Sequence, residues 1–257
     1  EAGSLKYNTK AKEFLRGDVI GDEYGEISGS RLRQFGGSSG HWGGWCNPLN
    51  KKDFASWPIK KNDLDPYLNS AKEILSLNND FFNEKFSNNL NSFNLIQSSE
   101  PKLGDKYYSH IKKSKYIYLS LNTIFVNFKG VNGNIIAANC YKNKYHNLKA
   151  KFYILSCGGI ENSRLLLWAK NVNPNLFNFN LPIGNYYMDH PYQGVAEGLI
   201  ISKKLFNYYN KSNLSNKPIL SCSNQINLSF NHSFLKNRNI LNSGMYVIFQ
   251  KADINSS

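Results

Sequence analysis

The first sustained hydrophobic period along the chain is helical. Between residues 50 and 77, Leu64, Tyr67, Leu68, Ala71, Ile74 and Leu75 recur three or four positions apart. Asp63 stands where an N-cap is expected, and Trp57-Pro58-Ile59 ends the element before it. Residues 78–115 are rich in Asn, Ser and Lys and hold no period, so they are expected to form an irregular excursion, an insert or a lid. From residue 116 the pattern turns to strands. YIYLSLNTIFVNF is β-branched and aromatic, GVNGN is a hairpin turn, and IIAANCY returns. In KFYILSCGGIENSRLLLWAKN the reading is a short buried strand at 152–156, a turn at Cys157-Gly158-Gly159, and a helix carrying Leu165, Leu166 and Trp168. Beyond residue 193, GVAEGLIIS, ILSCSNQINLSF and GMYVIFQK alternate as strands of a half-exposed antiparallel sheet. No internal repeat is present.

Two glycine-rich places break this pattern. The turn at 157–159 puts backbone N–H groups at a helix N-terminus, where a phosphate or dinucleotide can sit. Glycines there also serve close strand–helix packing alone, and the segment by itself does not decide between the two. RLRQFGGSSGHWGGWCNPLN, from Arg31 to Asn50, holds five glycines, two serines and a His-Trp pair. That density means a backbone that turns sharply and lets a partner approach closely. The interleaved hydroxyls, imidazole and indole suit a partner polar at one end and aromatic at the other.

Composition narrows the classes. The 257 residues suffice for one large domain or two small ones, and 41% are hydrophobic. A net charge of +13 raises nucleic acid as a partner. The lysines, however, are scattered among asparagines with no RGG, KH or RNP-like pattern, so the charge reads as compositional drift and no nucleic-acid partner is expected. No run of about 18 apolar residues exists, so no transmembrane segment is expected. Cys46, Cys140, Cys157 and Cys222 lie far apart with no CxxC pair, which argues against zinc and for reduced thiols in a cytoplasmic protein. The sequence opens on Glu1-Ala2-Gly3 without a methionine and reads as a fragment.

Taken in order, four segments resemble the glucose–methanol–choline (GMC) family of FAD-dependent oxidoreductases, nearer the branch of gluconate and fructose dehydrogenase flavoprotein subunits and pyranose oxidase. They are Glu1-Ala2-Gly3, GGSSGHWGG, SCGGIENSRLLL and IGNYYMDHP, and together they span most of the chain. The resemblance implies an α/β chain (α+β overall). Part of a Rossmann-like FAD-binding domain would occupy 1–190, with 78–115 as an insert or lid. The start of a substrate-binding domain on an antiparallel sheet would occupy 191–257.

It also implies roles. Glu1 would end the second Rossmann strand and accept hydrogen bonds from the ribose hydroxyls. Gly36 and Gly37 would admit the pyrophosphate and the isoalloxazine edge, Ser38 or Ser39 would donate a hydroxyl, and Gly43 and Gly44 would leave room beside the flavin. Arg31 and Arg33 would serve phosphate oxygens or simply carry surface charge. His41 would contact the flavin, and in the pyranose oxidase pattern its counterpart is tethered to the 8α-methyl carbon. Trp42 reads as a wall of the site. Ile124 aligns with a position whose backbone pairs with the adenine, and Gly158 lies in the turn beside the ADP moiety, with Cys157 a small buried residue there. Asp189 and His190 are structural in this reading, and His110, His146 and His232 read as surface residues.

Two parts that the family needs are not in this sequence: the GxGxxG turn, and the segment with the active-site histidine. No catalytic residue and no metal ligand is therefore assigned. The implied activity is oxidation of a CH–OH group, of a sugar or polyol, by hydride transfer to flavin N5, with a separate electron acceptor. The alternative is a truncated, non-catalytic remnant that binds little or no FAD.

Overall fold

Short helices and antiparallel sheets build a mixed α/β chain. The computed structural model describes residues 1–22, 24–176, 180–190, 193–198, 202, 203, 207 and 225–248. In chain order the elements are α1 (Thr9–Glu13), β1 (Trp45–Cys46), α2 (Lys61–Leu64), α3 (Leu68–Ile74), β2 (Asn83–Lys85), β3 (Leu90–Phe93), β4 (Ile96–Gln97), α4 (Leu103–Lys113), β5 (Ile124–Val131), β6 (Asn134–Lys142), β7 (Lys144–Leu148), α5 (Gly159–Val172), β8 (Gln225–Phe230), α6 (His232–Arg238) and β9 (Gly244–Ile248). They divide into two compact units, Glu1–His41 with Leu103–Gly194, and Trp42–Lys102 with Val195–Ser257. This division differs from a single boundary at 190/191, because residues 42–102 cluster with the C-terminal segment.

In the first unit, β5, β6 and β7 form an antiparallel meander. Asn132 and Gly133 link β5 to β6 at φ 50° and 76°, the left-handed pair that a two-residue hairpin turn demands. Helix α5 packs on one face of the sheet. Phe128, Ala138, Cys140, Ala169 and Leu176 form its buried core. Ala169 is fully buried, and its small side chain lets α5 lie close to the strands. Asn173, just past α5, donates its amide to the Phe128 carbonyl at 2.9 Å.

Residues 152–156 do not form the expected buried strand. Tyr153 and Leu155 pack against the core, while Phe152 and Ile154 are 77% and 85% exposed. The alternation is that of a strand, but no strand among the described residues pairs with it, so its second face stays bare. The strand expected from residue 116 likewise begins only at Ile124. Tyr116 and Tyr118 stand 99% and 92% exposed before it. Residues 78–115, expected to be irregular, contain β2, β3, β4 and α4. Helix α4 carries Asp105 in its first turn and His110, Lys112 and Lys113 in its last, which complements the helix dipole.

In the second unit, β1 pairs with β4, and a larger antiparallel sheet runs β2-β3-β8-β9. Its register pairs Phe93 with Asn83 and Asn227, Leu228 with Ser92 and Met245, and Asn227 with Tyr246. Cross-strand partners share a face. Leu90, Ile226, Leu228, Met245 and Val247 therefore lie on one side, where they form a hydrophobic cluster with Phe86. Asn83, Asn91, Phe93, Asn227, Ser229 and Tyr246 lie on the other. Helix α6 is capped by the Asn231 side chain, which accepts the Phe234 N–H at 2.9 Å. It buries Leu235 completely.

The expected helix over 50–77 breaks into α2, a 3-10 turn at Asp65–Tyr67 with Pro66 inside it, and α3. Asp63 is not the N-cap. Lys60 holds that position, and the Asp63 carboxylate accepts the Lys60 N–H at 2.8 Å from within the first turn. Of the sheet segments expected beyond residue 193, residues 225–230 and 244–248 are strands. Residues 199–201, 219–224 and 249–251 lie outside the described residues.

Candidate functional site

Glycine governs how the first unit assembles its candidate site. Gly3 passes so close to residue 33 that an added Cβ would meet the Arg33 carbonyl oxygen. That contact lets Ser4 bridge to Gln34 in parallel and accept the Phe35 N–H at 3.0 Å. On its other side the same segment receives Asn122 N–H at the Gly3 carbonyl (3.0 Å) and Thr123 N–H at the Glu1 carbonyl (2.9 Å). Glu1 is thereby held beside the start of β5, where Ile124 pairs with Tyr141. The Glu1 carboxylate accepts the Gly3 N–H at Oε1, 2.6 Å away. Its second oxygen has no hydrogen-bond partner among the described residues.

The glycine loop divides its residues between packing and open backbone. Gly36, at φ 91°, lies against Gly104 of α4, where an added Cβ would come within 2.7 Å of the Gly104 backbone. The close approach that Gly36 permits is thus to its own chain. Gly37, at φ 55°, has nothing within 4 Å of such a Cβ. Ser39 spends its hydroxyl on the Gly36 carbonyl at 2.7 Å. The Ser38 hydroxyl and the His41 imidazole have no hydrogen-bond partner among the described residues, and both side chains are exposed. Gly43 and Gly44 belong to the second unit. Gly44 is buried at φ 71° against Pro101 and accepts the Ser98 N–H at 2.9 Å, and Gly43 abuts the Trp45 indole. Trp42, in the same unit, donates its indole N–H to the Pro101 carbonyl at 2.5 Å.

The two arginines of the loop part company. Arg31 is consumed internally. It donates to the Ile27 carbonyl at 3.0 Å, to the Leu15 carbonyl, and to Glu161 at 2.5 Å in a mostly buried ion pair. Arg33 lies over the Phe14 ring, 4.3 Å from its centroid. Burial pulls the Arg33 guanidinium below its usual value, while Glu1 and Glu161 nearby act against that shift. Gly158, at φ 86°, leads into α5, and neither it nor Gly159 has anything within 4 Å of an added Cβ. Asn162 braces this turn, accepting the Cys157 N–H at 2.9 Å and donating to the Leu155 carbonyl at 3.2 Å. Cys157, read from the sequence as a small buried residue, is exposed; partial desolvation at the turn, joined by Glu1 and Glu161, still pushes its thiol up, which disfavours a thiolate.

Asp189 serves as a clasp. It accepts the Tyr24 hydroxyl at 2.7 Å, the His190 N–H at 2.7 Å and the Tyr187 hydroxyl at 3.3 Å. The Tyr24 hydrogen bond, foremost, holds the Asp189 carboxyl below its ordinary value. A second bond of the Tyr24 hydroxyl, 2.8 Å from the Tyr187 hydroxyl, leads the causes that push Tyr187 up to about 12.

Sequence reasoning missed a second site entirely. In the second unit a cleft of about 490 Å³ lies over the polar face of the larger sheet, with Asn83, Phe93, Ser229 and Gly244 on that side and Asn50, Asp53 and Asn242 opposite. Alternation within β3 and β8 signals which residues share a face. It does not reveal that two strands so far apart in sequence are neighbours. Among the described residues no cluster of His, Cys, Asp and Glu suits a metal. No helix there is long and apolar enough to cross a membrane. Compared with protein-family models, curated proteins and solved structures, the chain matched none.

Proposed function

We propose that the chain is part of a GMC-type, FAD-dependent oxidoreductase acting on CH–OH groups, with residues of the first unit holding the flavin dinucleotide in a Rossmann-like manner. The observation that carries this reading is the meeting of sequence-distant segments in one unit: residues 1–5, 33–37 and 120–124 are joined by backbone contacts, and Arg31 ties the loop to Glu161 of α5. The residues fit the group. The unpartnered Glu1 oxygen can accept from a ribose hydroxyl, and the open N–H groups at Gly158 and Gly159 can face a phosphate. Arg33 adds a cation, and Ser38 and His41 offer free polar side chains near Gly37, whose Cα faces open space. Bound FAD supplies the hydride acceptor. The residues of this chain bind and orient, and none is assigned the proton of the substrate alcohol. A sugar or polyol as substrate, and a separate electron acceptor, belong to the same reading.

The bare face at Phe152 and Ile154 favours the second reading, a non-catalytic remnant that binds little FAD. Titration of FAD into the full chain, followed by flavin fluorescence and calorimetry, separates the two. Saturable binding that weakens about tenfold in Glu1→Gln, the loss of one hydrogen bond to an ionised acceptor, supports the flavoprotein. A folded chain with no saturable binding overturns it. Flavin colour that stays with the acid-denatured protein, and vanishes in His41→Ala, marks a covalent link.

A further inference from the structure

Charge is distributed along the chain far more unevenly than its total implies. Residues 106–160 hold nine lysines and no aspartate or glutamate, so all 18 acidic residues of the chain lie outside that stretch. The stretch contains most of α4 and the whole β5-β6-β7 meander. Charge of one sign repels itself in a folded unit, and packing alone does not ask for it.

The register of the meander shows what accompanies the charge. Phe125, Phe128, Ala138 and Cys140 belong to the face that packs in the core with α5. The opposite face sets Tyr141 beside Tyr145 and Asn139 beside Asn147. It stays open along β6 and β7, where Tyr141 is 40% and Tyr145 68% exposed. The two rings meet edge to face with centroids 5.2 Å apart, and neither hydroxyl has a hydrogen-bond partner among the described residues. The Asn139 amide donates to the Asn147 side-chain carbonyl at 3.1 Å. Among the described residues this leaves the Asn147 amide and the Asn139 side-chain carbonyl unused, a donor and an acceptor side by side. Lys142 and Lys144 pair at the hairpin tip. They and Lys129 are exposed, and none of the three forms an ion pair among the described residues.

We propose that this sheet face is a docking surface for single-stranded nucleic acid. Its positive charge complements a phosphate backbone. Tyrosine rings on an open antiparallel sheet offer stacking to bases, and free amide groups can hydrogen-bond base edges. The expectation of no nucleic-acid partner rested on lysines scattered along the sequence, and strand pairing gathers Lys142 and Lys144 at one tip. An acidic peptide would engage the lysines and leave the paired rings unused. An anionic bilayer fits less well, because insertion asks for apolar side chains beside the lysines and this face places amides there.

The proposal does not depend on the flavin reading. Fluorescence anisotropy of a short fluorescein-labelled oligouridylate, titrated with the full chain without FAD, tests it. Saturable binding is expected, about tenfold weaker in Tyr145→Ala, the scale of one lost base stack, and retained in Tyr145→Phe. With Lys142→Gln and Lys144→Gln combined, the slope of log K against log salt should shrink by about 1.4, roughly 0.7 for each phosphate contact of a single strand. Circular dichroism should be unchanged in all of these variants. A folded wild type that does not bind, or undiminished binding in Tyr145→Ala, overturns the proposal. So does displacement by inorganic polyphosphate as readily as by unlabelled oligouridylate, which would reduce the surface to charge alone. Loss of binding in excess FAD would place the oligonucleotide in the flavin site instead, and preferential binding to phosphatidylserine vesicles would make the partner a lipid surface; either result also sinks it.

Discussion

The two units present candidate sites of opposite construction. In the first, the site is written mainly in backbone: the uncrowded Gly37, the turn at Gly158 and Gly159, and one carboxylate held by the segment it caps. In the second, it is written in side chains that four strands bring onto one sheet face. A backbone site needs residues with special dihedral freedom, so it leaves glycines in the sequence. A side-chain site on a sheet needs only the right register, which leaves no mark at any one position.

The largest effect that could break this comparison comes from the core of the first unit. Phe128 is buried between β5, β6 and α5, and Phe128→Ala should cost about 3–5 kcal/mol. Amide exchange in β6 should quicken and FAD binding should fall, while amide exchange in β8 stays unchanged. If exchange quickens equally in β6 and β8, the units do not act separately and the contrast fails.

A smaller effect sharpens the contrast within one loop. Gly36 and Gly37 both have positive φ, but only Gly36 is packed, with the Gly104 backbone where a Cβ would go. Gly36→Ala should destabilise by about 2–4 kcal/mol, the dihedral cost plus a clash that no rotamer relieves. Gly37→Ala should cost about 1 kcal/mol, the dihedral penalty alone. Chemical denaturation measures both. Equal losses would mean that the two glycines serve the same purpose.

Much of the first unit was legible before any coordinates. The Asn132-Gly133 pair named its hairpin, and the strong run from Gly159 named α5. What failed had a common cause: strand identity depends on partners. Residues 152–156 have the right side chains, but no described strand pairs with them. Residues 83–93 look irregular, yet become a hairpin once Leu90, Ser92 and Phe93 find β8, more than 130 positions away. The loop glycines illustrate the limit at single-residue scale. The spacing showed that Gly36 permits close approach, but not that α4 is what approaches.

The smallest effect lies at the Tyr24–Tyr187–Asp189 clasp, where Tyr187 and Asp189 are solvent-exposed and Tyr24 is half-buried. Asp189 is depressed from 3.8 in the folded chain, so its contribution is present above that value and is lost as pH falls through the lower folded one. Tyr187 is raised from 10.0 to about 12. Its contribution is complete below 10 and is lost as pH climbs toward 12. The clasp should therefore hold across the neutral range and loosen at both extremes. Tyrosine resonances of Tyr24 and Tyr187, followed by NMR from pH 2 to 12, should show two limbs, with Asp189→Asn removing the acid one. If the acid limb survives in Asp189→Asn, another carboxylate drives it, and the clasp is not what joins residue 24 to the turn at 184–190.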